Sequence, residues 1–155
     1  MSAAGSNNVI FYSSVFRHGV DDKRRVQIPA KWRPPDPEVE FTLIMWPHGG
    51  TSDACLLVLP PSEWEVLVAK LKAMPFAEPR AQALRRLVGT KSAQVPIDRA
   101  GRICIPEEMA RAAGIEKEVV LVGLVDRFQI WSPERHGAVS VEDEALASEA
   151  FQLLG

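Results

Sequence analysis

The sequence contains one ten-residue pattern twice, and this duplication constrains the fold more than any other feature. The first copy occupies residues 20–29 (VDDKRRVQIP) and the second occupies residues 97–106 (IDRAGRICIP). Each copy has an apolar residue, an Asp, three residues of turn character, an Arg, a β-branched residue, and a closing Ile-Pro pair. A short helix-prone segment and two apolar runs follow both copies. Internal duplication of this kind predicts two similar half-domains.

The charge is distributed unevenly along the chain. With 155 residues, 46% of them hydrophobic, the chain can bury one core or two small halves that share one. The net charge of −2 gives no global reason to expect a polyanionic partner. Residues 17–33, however, contain six Lys or Arg against two Asp. This composition indicates a local basic patch on a nearly neutral protein.

Three features of the sequence indicate the cellular location of the protein. Cys55 and Cys104 lie in apolar, strand-like runs without metal-ligand spacing, which favours two buried thiols in a reducing cytosol. No apolar run is long enough to cross a bilayer, and residues 1–8 are too short and polar for a signal peptide. We therefore expect a cytoplasmic protein with a disordered N-terminal extension, no membrane partner, no metal and no cofactor.

The periodicity predicts that each half consists of short strands followed by helix. Val9 is expected to begin a strand that leads into the first motif, whose Arg returns the chain as a hairpin strand. Ser62 and Glu65 form a capping-box pattern for the first helix of a pair between the two copies. In the second helix, from Pro79 to a C-terminal cap at Gly89, the leucines are expected to face inward and the arginines outward. The strands are predicted at 9–16, 25–28, 41–46, 55–59, 94–97, 102–105, 119–122 and 128–131. The inward residues are Leu84, Leu87 and Val88, and the outward ones are Arg80, Arg85 and Arg86.

The predicted fold class is α+β, with two tandem β half-domains and flanking helices. Ser132 and Pro133 are typical of a helix start, and residues 142–154 have a helical pattern. The predicted division is an extension at 1–8, a first repeat at 9–61, a connecting helical pair at 62–91, a second repeat at 92–135 and a C-terminal helical tail at 136–155.

The repeated Asp-x-x-x-Arg turn permits two interpretations. The Asp can accept hydrogen bonds from turn amides while the Arg stands at the start of the return strand. The pair then either stabilises the turn alone or presents a guanidinium to a phosphate, and a two-stranded ribbon of this kind fits a DNA groove. On the second interpretation Arg25 is the central contact, and Arg102 is the more structural one because Asp98 and Asp126 offer partners. The candidate DNA-binding residues are Arg17, Lys23, Arg24, Arg25, Arg99 and Arg102, with Asp21 and Asp98 orienting the turns.

The motifs resemble those of the MraZ family, bacterial transcriptional regulators that carry two copies of the SpoVT/AbrB-like unit. The matching segments are 21–33, 55–60, 63–65, 98–103, 117–123 and 128–131. The resemblance implies a pseudo-two-fold swapped-hairpin barrel and a homo-oligomeric ring, with eight or more subunits. It further implies a nucleoid-associated protein that binds repeated double-stranded DNA sites upstream of its own operon, in the division and cell wall gene cluster.

One residue departs from the family pattern. Arg24 stands directly before Arg25, where the family's first motif usually has Gly. A turn that requires positive φ would strain Arg24, whereas a rearranged turn would add a cation to the basic patch.

Two other classes of function are an enzyme and a protein-binding module. His18, His48 and His136 lie far apart in sequence, and no glycine-rich phosphate loop or nucleophile motif is present, so we expect no catalytic residues and no small-molecule substrate. The second class is a ring-forming adaptor or antitoxin-like module that binds another protein. Its interface would use tryptophans, although their apolar surroundings favour burial in the core. These are Trp32, Trp46, Trp64 and Trp131.

Overall fold

The computed structural model describes residues 9–48 and 54–155, which form an α+β fold of eight strands and four α-helices. The strands are β1 Val15–Gly19, β2 Arg25–Gln27, β3 Glu40–Pro47, β4 Ala54–Leu59, β5 Ser92–Pro96, β6 Arg102–Cys104, β7 Glu118–Gly123 and β8 Phe128–Trp131. The helices are α1 Pro61–Ala73, α2 Pro79–Thr90, α3 Glu107–Ala112 and α4 Pro133–Phe151, with 3-10 turns at Ala30–Trp32 and Gln152–Leu154.

The two halves of the chain exchange strands. Six strands form one antiparallel sheet in the order β1-β7-β8-β4-β3-β5, and β2 pairs with β6 in a separate two-stranded sheet. The first strand of each half therefore pairs with the other half, β1 with β7 and β5 with β3. The counterparts in the two halves are β1 and β5, β3 and β7, and β4 and β8. Replacing each strand by its counterpart gives the same strand order, read from the opposite edge of the sheet. This arrangement agrees with the duplication seen in the sequence.

The expected hairpin around the first motif is wrong in its pairing, and the barrel is not confirmed. Strand β2 does not form a ladder with β1, and an isolated bridge joins its Val26 to Val20, the residue that follows β1. It pairs with β6 instead, with Val26 opposite Ile103, and both side chains are fully buried. Burying these two apolar residues against one core accounts for the exchange of partner. Over the described residues the strands form two separate sheets, so the predicted closed barrel stays a prediction.

The main core lies between the inner face of the large sheet and the β2–β6 pair. Trp32, Phe41 and Phe128 are fully buried there, and the ring centroids of Trp32 and Phe128 are 4.8 Å apart. On the outer face of the sheet, α1 and α2 cover one apolar cluster that includes Ile44. The first half of α4 covers a second cluster of Cys55, Val120 and Trp131. The β2–β6 pair is thus held rigidly against the protein interior.

Several local predictions are wrong at element ends. The strand ladder of β1 begins at Val15, not Val9. Helix α1 begins at Pro61 with Pro60 as its N-cap and no side-chain cap, so Ser62 is not the cap. A proline already has the φ of a first helical position, which accounts for the earlier start. Gly89 lies inside α2 and does not end it.

Other side chains differ in burial from the prediction. Cys55 is buried as expected, but Cys104 is exposed because it lies on the outward side of β6. Leu84 and Leu87 are 37% and 50% exposed, although Val88 is buried. Trp46 is also 37% exposed, whereas Trp32 and Trp131 are buried as predicted. These outward apolar side chains leave part of the molecular surface hydrophobic.

The C-terminal part of the chain is one long helix. The Ser132 side chain accepts a hydrogen bond from the Arg135 amide, which confirms the predicted cap. From Pro133 the helix then continues without interruption to Phe151, so the segment between the cap and residue 142 is helical too. Among the helices in residues 9–48 and 54–155, none combines the length and the apolar character that crossing a bilayer requires.

Candidate nucleic-acid interface

The β2–β6 pair and the turns that precede its strands are called the ribbon here, comprising residues 21–27 and 98–104. Side chains alternate between the two faces of a strand. Val26 and Ile103 point into the core, so their neighbours Arg25, Gln27, Arg102 and Cys104 lie on the outer face. The pairing therefore places one arginine from each motif on the same solvent-facing side of the ribbon.

The first turn is built around Asp21. One carboxylate oxygen, Oδ1, accepts the amides of Lys23 at 2.9 Å and Arg25 at 2.8 Å. The other, Oδ2, accepts Nε of Arg25 at 2.6 Å. These bonds, above all the one from the Arg25 amide, lower the pKa of Asp21 to about 2, while the carboxylate raises the pKa of Arg25. Asp21 thus stabilises the turn and orients the guanidinium, as the sequence predicts.

The second turn repeats the first bond for bond. Asp98 accepts the amides of Ala100 and Arg102 and also Nε of Arg102, each at 2.9 Å. These bonds, beginning with that from the Arg102 amide, lower the pKa of Asp98. The expected second partner is wrong, because Asp126 pairs with Arg127 at 2.9 Å. The second carboxylate near Arg102 is instead Asp21, at 4.0 Å.

Arg25 and Arg102 therefore do not differ in the expected way. Each uses Nε to bind the Asp of its own turn, and their side chains are 33% and 32% exposed. The longer contact of Arg102 with Asp21, at 4.0 Å, is a difference between the two, so the prediction that Arg102 is the more structural one stays a prediction. The two guanidinium groups form a matched pair on the outer face of the ribbon.

The backbone of Arg24 has the strained conformation with positive φ, the first of the two alternatives that the sequence allows. Its φ is +61°, and the residue at the same place in the second turn is Gly101, with φ of +83°. A left-handed conformation costs a non-glycine residue about 1–2 kcal/mol. The Arg24 side chain turns back toward the second half, where its Nε donates to the carbonyl of Ile105 at 2.9 Å. Arg24 is thus tied to the protein and does not extend the outer face.

The remaining candidate cations are exposed, and one polar residue on the outer face was not predicted. Lys23 and Arg99 lie in the two turns, whereas Arg17 lies on β1, outside the ribbon. Gln27 shares the outer face with Arg25 and donates from Nε2 to the carbonyl of Ala100 at 2.8 Å. Strand alternation around the buried Val26 is the signal that identifies it.

Comparison with known proteins agrees with this architecture. Residues 90–152 match a family model described as "MraZ protein, putative antitoxin-like". A protein named Transcriptional regulator MraZ from Thermomicrobium roseum is 37% identical over 134 residues, which are 86% of this chain and 88% of that protein. The chain belongs to the MraZ family. Its MraZ relatives from Heliobacterium modesticaldum (36% identical, 77% of this chain and 80% of the relative) and Clostridium tetani (32%, 89% and 95%) carry the same name. The resemblance drawn from the repeated motif is therefore confirmed.

Proposed function

We propose that this protein is a transcriptional regulator that binds double-stranded DNA through the outer face of the ribbon. The observation that carries the proposal is the pairing of β2 with β6, which sets Arg25 (opposite Cys104) and Arg102 (opposite Gln27) diagonally across the ribbon on one solvent-facing surface. The opposite face of the ribbon is anchored in the core by Val26 and Ile103. A two-stranded ribbon is narrow enough to enter the major groove, about 12 Å wide.

The hydrogen bonds of the two arginines support phosphate contact. Nε of Arg25 is bound to Asp21, and among the described residues its two terminal nitrogens have no hydrogen-bond partner. Nε of Arg102 is bound to Asp98, and its Nη1 is 4.0 Å from Asp21. An arginine already oriented by a carboxylate loses less conformational freedom when it binds a phosphate oxygen. Lys23 and Arg99 supply further charge from the turns, and Arg17 does so from β1.

Multivalency explains how a chain with net charge −2 can bind DNA. One ribbon makes few phosphate contacts, but a homo-oligomeric ring presents several at the spacing of repeated sites. We propose such a ring on repeats upstream of the protein's own operon, in the division and cell wall gene cluster. The strand exchange between the halves supports a swapped-hairpin barrel in which repeats 9–61 and 92–135 each contribute one turn to the ribbon. A regulator of this kind acts in the cytoplasm, on the nucleoid.

The proposal is tested by fluorescence anisotropy with the DNA upstream of the protein's gene and with a scrambled duplex. We expect tighter binding to the upstream DNA, and a logarithm of affinity that falls linearly with the logarithm of salt concentration. A folded oligomer that binds neither duplex at low salt would contradict the proposal. That result would favour the alternative, a protein-binding adaptor or antitoxin-like module with the same fold.

A further inference from the structure

Helix α4 carries an apolar face that extends beyond the sheet it packs on. Its first half is held by Val139, which packs on the Cys55, Val120 and Trp131 cluster, and by Glu142, which pairs with His48 at 2.8 Å. Leu146 and Ala150 continue this face at helical spacing. The apolar end of the chain is almost fully exposed. Residues 146–154 are called the tail here, and their exposed large side chains are Leu146 (55%), Phe151 (73%), Leu153 (89%) and Leu154 (86%).

A second apolar surface lies on α2 and the end of β3. It is an open groove of about 610 Å³ between these elements and α3. Leu84, Leu87 and Val88 of α2 line one side, and Met45 and Trp46 of β3 line the other. Leu84 and Leu87 are exposed here although their spacing predicts inward positions. The groove therefore has a helical apolar stripe without a partner among the described residues.

The two surfaces carry opposite charge. Residues 70–91, which include the groove wall and its rim at Lys91, contain six Lys or Arg and one carboxylate, Glu78. Residues 140–155 contain four carboxylates and no Lys or Arg. The tail, with Glu149 and the three carboxylates that precede it on α4, thus has charge opposite to that of the groove, whose lining includes Lys91 and whose helix α2 carries three arginines. Both surfaces are present once in every chain. Such complementarity steers association and suppresses incorrect pairings.

We propose that the tail of one copy docks in the groove of a second copy. This inference rests on the homo-oligomer of the proposed function and assigns the contact that builds it. The tail cannot bend back into its own groove, because α4 is continuous to Phe151 and its first half is fixed on the sheet. Since tail and groove are different surfaces, the contact is head-to-tail and generates a ring when the rotation closes. It uses no ribbon residue, so the DNA-binding face stays free in the assembly.

The test uses two variants of the full-length chain, each with one surface disabled. Leu153→Glu/Leu154→Glu disables the tail, and Leu84→Glu/Leu87→Glu disables the groove. All four side chains are exposed, so the fold is expected to survive, as checked by circular dichroism. Light scattering coupled to size exclusion should show the oligomer for the wild-type chain and a monomer for each variant. Val141→Glu, on another side of α4, and Val66→Glu, on α1, are matched controls that should keep the wild-type mass.

Mixing the two variants identifies the kind of contact. The tail variant keeps its groove and the groove variant keeps its tail, so together they should form a complex of two chains and nothing larger. Three results would overturn the proposal: the mixture stays monomeric, either variant has the wild-type mass, or the wild-type chain itself is a monomer. The proposed DNA binding fails in a different way. In that case the wild-type chain forms the oligomer, but the oligomer does not bind the upstream duplex.

Discussion

The guanidinium of Arg33 lies directly over the Cα of Gly101 and fills the space that a side chain there would occupy. Nε of Arg33 also donates to the carbonyl of Ile28 at 2.9 Å. In the other half, Arg24 takes the place of Gly101 and donates to Ile105, the counterpart of Ile28. In each half, an arginine thus donates to the carbonyl of the equivalent Ile, but the two arginines come from different positions of the repeat.

This exchange explains how Arg24 is accommodated. The counterpart of Arg33 in the second half is Ala110, and Ala110 and Arg24 line the same surface depression. A small residue at 110 leaves room for the side chain of Arg24. The hydrogen bond to Ile105 offsets part of the cost of the left-handed backbone, because a net hydrogen bond contributes about 1 kcal/mol.

Replacing Gly101 by Ala should destabilise the protein by about 1–3 kcal/mol. The substitution places a side chain at φ of +83° and forces the Arg33 guanidinium to move. Urea denaturation measures the change in the free energy of unfolding. Gly89→Ala is the matched control, because a Cβ there meets nothing within 4 Å and the residue lies in α2. The control should be neutral or stabilising by up to about 1 kcal/mol; equal effects at both glycines would contradict the prediction.

Arg24→Ala should be less stable than Arg24→Gly, by about 1 kcal/mol. Both substitutions lose the hydrogen bond to Ile105, but only Ala keeps the cost of the left-handed conformation. Thermal denaturation of the two variants gives the difference. Equal melting temperatures would show that the turn does not require a positive φ at this position.

Arg25→Ala and Arg102→Ala should weaken DNA binding to a similar extent, about tenfold or more, and should each reduce the salt dependence. The reason is that each guanidinium group is bound through Nε to the Asp of its own turn and that the two side chains are almost equally exposed. Anisotropy titrations over a salt series give both quantities, and light scattering should show an unchanged oligomer. Arg80→Ala on α2 is the control, since this exposed arginine lies away from the ribbon. A large effect for only one ribbon arginine would restore the asymmetry expected from the sequence.

Acid should remove the contribution of Asp21 to stability. The folded-state pKa is lowered from 3.8 to about 2, so the ionised carboxylate stabilises the fold above the unfolded value of 3.8. This contribution is lost as the pH falls from 3.8 through about 2. Urea denaturation of the wild-type chain and Asp21→Asn should therefore give a difference that is constant at higher pH and shrinks over this range. Asp22→Asn, outside the hydrogen bonds made by Asp21, is the control for the loss of one carboxylate, and a constant difference for Asp21→Asn down to pH 2 would contradict the assignment.

The sequence alone determined the duplication, most of the strands, and the internal bonds of both turns. The Asp21 carboxylate accepts its hydrogen bonds from Lys23 and Arg25, and that of Asp98 from Ala100 and Arg102, so the hydrogen bonds of each carboxylate lie within five residues. Interactions of this range follow from residue type and spacing. For the same reason the Ser132 cap was predictable from the chain around it.

Only the tertiary structure decided that β2 pairs with β6, that Arg25 and Arg102 are almost equally exposed, and that Leu84, Leu87 and Trp46 are exposed. A periodic pattern shows which side chains share a face, but what covers that face depends on elements far away in sequence. The ribbon forms because Val26 and Ile103, one from each half, are buried in the same core.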